Sequence, residues 1–122
     1  MTAYHEPLTE IDEKARDIHR ALNSLKEEIE AVDWYHQRVV ASKDESIKAV
    51  LAHNRDEEIE HACMMIEWLR RNMPQWDEEL KTYLFTTAPI TQVEEMEKEE
   101  SSNEEEAGET KQESLNIGNL KE

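Results

Sequence analysis

Glycine is scarce in this chain of 122 residues, which holds two glycines, three prolines and a single phenylalanine. Sheets draw on aromatic residues and tight turns, so the shortage points to an all-α fold, and the length suffices for one small domain with a sizeable core. Cysteine is limited to Cys63, which excludes an intramolecular disulfide. Its neighbours Ala62, Met64, Met65 and Ile66 predict a small packed side chain in a reducing, cytosolic setting. Positive charge is outnumbered, with 14 Lys and Arg against 30 Asp and Glu and a net charge of −16. A field of that sign repels nucleic acid and anionic membranes and favours cations as partners. No apolar run approaches the roughly 20 residues of a membrane span. The opening "MTAYHEPLTEIDEK" has neither the basic nor the apolar region of an export signal, so no membrane association is expected.

What is present is helical punctuation and helical period. Thr9 can cap a helix, Asp12 lies three residues on, and acids fill the first turn. From there Ile11, Ala15, Ile18, Leu22, Leu25, Ile29, Val32, His36 and Val39 alternate steps of four and three, a heptad seam interrupted at His36. Ser42 or Asp44 can cap a second helix that ends at "NMP", near Asn72. So short a connection predicts an antiparallel hairpin. "PQWDEELKTYLF" predicts a short third helix with Trp76, Leu80, Tyr83 and Leu84 on one side. The domain boundaries expected are a helical domain over 1–90, a disordered acidic linker over 91–114 and a docking motif over 115–122. The linker carries ten Glu and two Lys, half of the net charge, without apolar period. "LNIGNLKE" then restores apolar residues at Leu115, Ile117 and Leu120, the pattern of a tethered motif that docks on a partner.

The stretch "HNRDEEIEH", His53 to His61, sits in the middle of the second helix and interrupts its apolar seam. Counted from Ile47, its seam runs through Leu51, Asn54, Glu58, His61, Met65 and Trp68, so three consecutive core positions are polar. A carboxylate and an imidazole buried without partners would each cost several kcal/mol. They must be satisfied by each other, across the interface, or by a metal. Glu58 and His61, at i and i+3, share a face within reach of one ion, and Glu28 flanks the seam of the first helix with Tyr35 one heptad later. Carboxylate di-metal bundles use a Glu from each of two helices and a Glu-x-x-His pair from each of the other two. This chain supplies half of that set. Two chains would therefore pair into a four-helix bundle with the metal site near their symmetry axis. Oxygen-rich ligation with nitrogen donors suits iron. A solvated acidic face with His61 in a polar layer is the plainer alternative. His53, Glu57 and Glu60 lie on neighbouring faces and read as exposed acids with at most weak cation affinity.

"EEIEAVDWYHQRV", "LAHNRDEEIEHA", "EWLRRN" and "TYLFTTAPIT" resemble the core of the encapsulated ferritins, ferritin-like proteins packed inside encapsulin nanocompartments. "SLNIGNLK" resembles an encapsulin-targeting peptide. The resemblance covers nearly the whole chain except the linker. It implies a ferritin-like four-helix bundle built by dimerisation of two-helix protomers, and a ring of such dimers, typically a decamer. Carried over by position, Glu28, Glu58 and His61 would be ferroxidase ligands with Tyr35 beside them. Glu27, Glu30 and Trp34 would lie on the route by which metal reaches them. His53, Glu57 and Glu60 would form a peripheral site for calcium or another divalent cation, and Leu115, Ile117, Gly118 and Leu120 would grip the shell protein. His36 stands where a more acidic residue is expected. The activity implied is oxidation of Fe(II) at a di-iron site shared between two chains, in a cytoplasmic encapsulin whose shell stores the mineral. Two rivals stand beside it. A non-catalytic acidic adaptor would tolerate Glu58→Ala, and a peroxide-reducing di-iron enzyme would differ in its substrate channel, for which the sequence names no residues.

Overall fold

The computed structural model describes residues 4–100 and 102–103. Among these, every regular element is helical: a 3₁₀ turn at Leu8–Glu10, α1 at Glu13–Ala41, α2 at Glu45–Asn72, α3 at Pro74–Tyr83 and a second 3₁₀ turn at Ile90–Gln92. Neither long helix contains Gly or Pro, and the three prolines fall at or just before an element's first residue, where a missing N–H costs nothing. Among the described residues, no helix is long and apolar enough to cross a membrane.

The caps correct one expectation from the sequence and resolve one ambiguity. Asp12, not Thr9, caps α1, accepting from the Ala15 N–H at 2.8 Å, while Thr9 lies in the preceding 3₁₀ turn. Asp44, not Ser42, caps α2 through the Ile47 N–H at 3.0 Å. Its carboxyl is held below the ordinary carboxylate range by hydrogen bonds from the Ser46 hydroxyl and the Ile47 N–H. Ser42 instead closes α1, donating from Oγ to the Arg38 carbonyl at 2.6 Å.

Contacts divide the chain into two compact units between Asp77 and Glu78. The first is the α1–α2 hairpin. Its core is Ala21, Leu25, Ala62 and Leu69, with Ile18, Met65, Ile66, Trp68, Met73 and Trp76 packed on it. The inner line of α1 thus runs Ile18, Ala21, Leu25, Glu28, Val32, Tyr35, Val39, and that of α2 runs Leu51, Arg55, Glu58, Ala62, Met65, Leu69. This corrects the seam expected from the sequence. Leu22, Ile29 and Ile47 are exposed, and so is His36. Two apolar stripes, each with a period near 3.5, overlap on α1, and the stripe carrying small Ala21 faces α2 with Ala62, where small side chains let backbones approach. Cys63, expected to be packed, is exposed.

The hairpin's terminal end is pinned by polar contacts. Lys14 Nζ donates to Asn72 Oδ1 and lies 5.3 Å from the Trp68 ring centroid. Arg70 binds both Glu67 oxygens, at 2.7 and 2.8 Å, and reaches Asp77 at 2.6 Å, so the last turn of α2 is tied to the first turn of α3 across Met73. Arg71 adds a contact to Glu67 at 2.6 Å. These two guanidinium groups hold the Glu67 carboxyl down to about 2.

In the second unit, Leu84, expected on the apolar side of the third helix, lies just past the end of α3 and is exposed. Phe85 follows with φ of 61°, a left-handed conformation unusual for an aromatic residue, and its ring is fully exposed. Residues 93–100 are helical where charge density predicts disorder. Val93 is buried there and Glu94 pairs with Lys98 at 3.2 Å, so one apolar anchor and an i,i+4 ion pair offset the crowding of like charge. The rest of the expected linker from residue 104 onward, and the expected docking motif with Leu115, Ile117, Gly118 and Leu120, lie outside the described residues.

Candidate metal centre

Glu28 sits midway along α1 on its inner line, and Glu58 occupies the matching position of α2. Antiparallel pairing, fixed by a three-residue connection, sets them opposite each other. His61 stands one turn beyond Glu58. Its Nδ1 is 3.6 Å from Glu28 Oε2 and 3.5 Å from Glu58 Oε2. One donor atom from each of the three lies within 4.8 Å of the others, the single grouping of three such side chains among the described residues able to hold a metal ion.

Glu58 keeps its expected inward position, but the burial of the other two differs from the sequence expectation. Glu28, expected to flank the seam, lies on the inner line and its side chain is 26% exposed; Glu58 is similar at 25%. His61, expected at a core position, is 47% exposed. The reason is the choice of stripe: with Ala62 turned inward, His61 is rotated to the hairpin's flank. The donors therefore form a rim opening sideways from the hairpin, not a sealed pocket within it.

The donor chemistry fits a divalent first-row metal. Ligand atoms about 2.1 Å from one ion lie at most about 4.2 Å apart, so the observed spacing needs only small side-chain rotations to converge. Two hard carboxylates and one imidazole match iron, and three donors leave coordination positions open on the exposed side. The proximity of both carboxylates to one imidazole also gives any cation bound there a doubly negative setting.

The other residues singled out from the sequence separate into groups. Tyr35 is half-buried on the inner line, two turns beyond Glu28, with the Arg38 guanidinium 5.3 Å from its ring centroid. Glu27, Glu30 and Trp34 are exposed on α1, and Glu27 accepts from Asn23 at 3.0 Å. His53 Nε2 lies 3.5 Å from Glu57 Oε1 on the outer face of α2, and Glu60 is exposed beyond them. None of these six outer residues joins the Glu28, Glu58 and His61 group. Sequence reasoning missed Arg55, which lies on the inner line one turn before Glu58 and meets His36 across the hairpin. The signal was available: an arginine within the same face as a candidate ligand carboxylate.

Comparison with known proteins identifies the family of the chain. Residues 3–87 match the family described as EncFtn-like. A ferritin-like protein of Thermotoga maritima is 70% identical over 92 residues, covering 75% of this chain and 81% of that protein. An encapsulated ferritin-like protein of Rhodospirillum rubrum is 60% identical over 90 residues, covering 74% of this chain and 64% of the longer relative. The crystal structure of protein ne0167 from Nitrosomonas europaea matches with a TM-score of 0.70 at 60% identity, over 73% of this chain and 98% of that one. With the family match spanning the hairpin, α3 and the turn after it, the chain belongs to the EncFtn-like family, the encapsulated ferritins whose resemblance its sequence carries.

Proposed function

We propose that this protein is a ferroxidase, oxidising Fe(II) to Fe(III) at a di-iron site shared between two chains, as cargo of an encapsulin shell in which the oxidised iron is stored. The convergence of Glu28, Glu58 and His61 on one side of the hairpin carries the reading. One chain supplies one Glu from α1 and one Glu-x-x-His from α2, half of the ligand set of a di-metal carboxylate bundle. The sideways exposure of His61 supports completion by a second copy, because a symmetric partner brings the same three donors to the same rim. Iron is the substrate here: two Fe(II) ions each give up one electron to dioxygen. The protein's part is to hold both ions close together and to stabilise the higher charge with carboxylates.

Exposed Leu22, Ile29, Trp34, Val40, Val50, Ile59 and Met64 leave more than one side of the hairpin apolar, which supports a dimer within a ring, with a decamer the size implied by family resemblance. Glu27, Glu30 and Trp34 would line the route to the site. His53, Glu57 and Glu60 would hold calcium or a similar cation at the periphery. The tail from Leu115 would bind the shell's inner wall, in line with the name of the Rhodospirillum relative.

The test is an anaerobic Fe(II) titration followed by air, on the wild type and on His61→Ala. Rapid oxidation saturating near one di-iron unit per two chains, lost in the variant, is the expected result. Two irons per chain, or oxidation unaffected by the substitution, would overturn the shared site. Deleting residues 115–122 should leave oxidation intact and abolish co-purification with the shell protein.

A further inference from the structure

We propose that His36 is a positioning residue for the metal ligand Glu58, acting by holding the Arg55 guanidinium away from its carboxylate. This rests on reading Glu28, Glu58 and His61 as a metal site. Arg55 and Glu58 are three residues apart on the inner line of α2, and both side chains are mostly shielded, at 23% and 25% exposed. Helical side chains at that spacing have Cβ atoms about 5–6 Å apart, close enough to form an ion pair. Such a pair would place a fixed positive charge on the carboxylate that a cation must occupy. Among the described residues no ion pair joins the two.

Arg55 is instead engaged on its other side. Its Nη1 lies 3.1 Å from His36 Nδ1 across the hairpin, and its Nε lies 3.1 Å from Asp56 Oδ1. Arginine only donates, so Nδ1 of His36 accepts, and the ring carries its proton on Nε2. The two contacts together hold the guanidinium toward His36 and Asp56. The charged residues nearest this pair in sequence are Asp56, Glu57 and Glu58 on α2, with Lys48 two turns earlier, and Asp33 and Arg38 on α1. Among the hydrogen bonds of the described residues, His36 Nδ1 is the acceptor that Arg55 meets across the hairpin. Glu58 is left to pair with His61, at 3.5 Å, the arrangement in which both can turn to one ion.

The experiment is an air-free Co(II) titration of the full chain, followed by visible absorption, on the wild type and on His36→Leu, His36→Gln, Arg55→Met, the His36→Leu/Arg55→Met double variant and Glu58→Ala. His36 is exposed, so the substitutions leave the core intact, and helicity and melting of each variant check this. His36→Leu should weaken Co(II) binding about twofold to fivefold, the upper part of the range of a single helical or half-shielded ion pair. His36→Gln, whose amide oxygen can still accept from Arg55, should bind as the wild type does. Arg55→Met should bind at least as tightly, and the double variant should match it. Binding unchanged in His36→Leu, a loss that persists in the double variant, or no rescue by Gln would each overturn the positioning role while leaving the metal site standing. Absent wild-type binding, or binding indifferent to Glu58→Ala, would overturn the metal site and this role together.

Discussion

The hairpin's two halves are built from the same two helices and differ in how finished they are. Toward the chain termini of the hairpin, Ala21, Leu25, Ala62 and Leu69 are buried and clamped by the Arg70 contacts to Glu67 and Asp77. Toward the connection at residues 42–44, no described residue is buried, and the inner line carries Val32, Tyr35, Val39, Leu51, Arg55 and Glu58. One half buries an apolar cluster of its own. The other offers half-buried side chains and an apolar exterior that one chain cannot cover. The Glu28, Glu58 and His61 group lies on the border between them, so a buried core positions a site that looks outward.

Breaking the finished half should have the largest effect. Leu69 is fully shielded, and Leu69→Ala should cost about 2–5 kcal/mol, read as a lower denaturation midpoint with helicity lost at lower temperature. Glu58→Ala removes one of two carboxylates from the donor group and should weaken Fe(II) binding by an order of magnitude or more, while melting changes little because the side chain is outside the apolar cluster. Ile29→Lys acts only on the exterior. It should leave monomer helicity unchanged and shift the association equilibrium toward smaller species in sedimentation, since Ile29 is 54% exposed and packs on nothing within the hairpin core. The smallest effect tests the clamp. Glu67 titrates near 2 when folded against an ordinary 4.5, so its stabilising contribution is present above about 4.5 and vanishes as pH falls toward about 2. Glu67→Gln should therefore melt slightly below the wild type at neutral pH, and the gap should close on acidification through that window.

Much of this was legible in the sequence because helix ends and long helices obey local rules. The absence of Gly and Pro from α1 and α2, Asp44 as one of two candidate caps and Pro74 at the start of α3 are read from neighbours a few positions away, whereas the Asp12 cap was hidden by Thr9, an equally suitable side chain three residues earlier. The candidate ligands were legible for a similar reason: Glu58 and His61 need only one turn of helix to share a face. What local pattern could not settle was which of two overlapping apolar stripes faces the sister helix. Leu22 is the larger residue and Ala21 the buried one, because close approach of two helices rewards small side chains that hydrophobicity alone ranks low. That choice moved Glu28 inward and His61 outward. The His36–Arg55 contact joins residues nineteen positions apart and appears only once the register of the hairpin is fixed. The helix at 93–100 escaped because composition was weighed over a whole acidic segment in which Val93 is a single apolar anchor.

The connection between α1 and α2, residues 42–44, has a consequence in time. Glu28 and Glu58 are brought together by closing a short turn between two long helices, an event of local contacts that does not depend on protein concentration. On the shared-site reading, each chain then meets its partner with its donors already in register, and assembly is the docking of two prepared halves. Dilution should slow the appearance of the complete site while leaving the formation of each half untouched, so that the two steps separate in a stopped-flow record by their dependence on concentration alone.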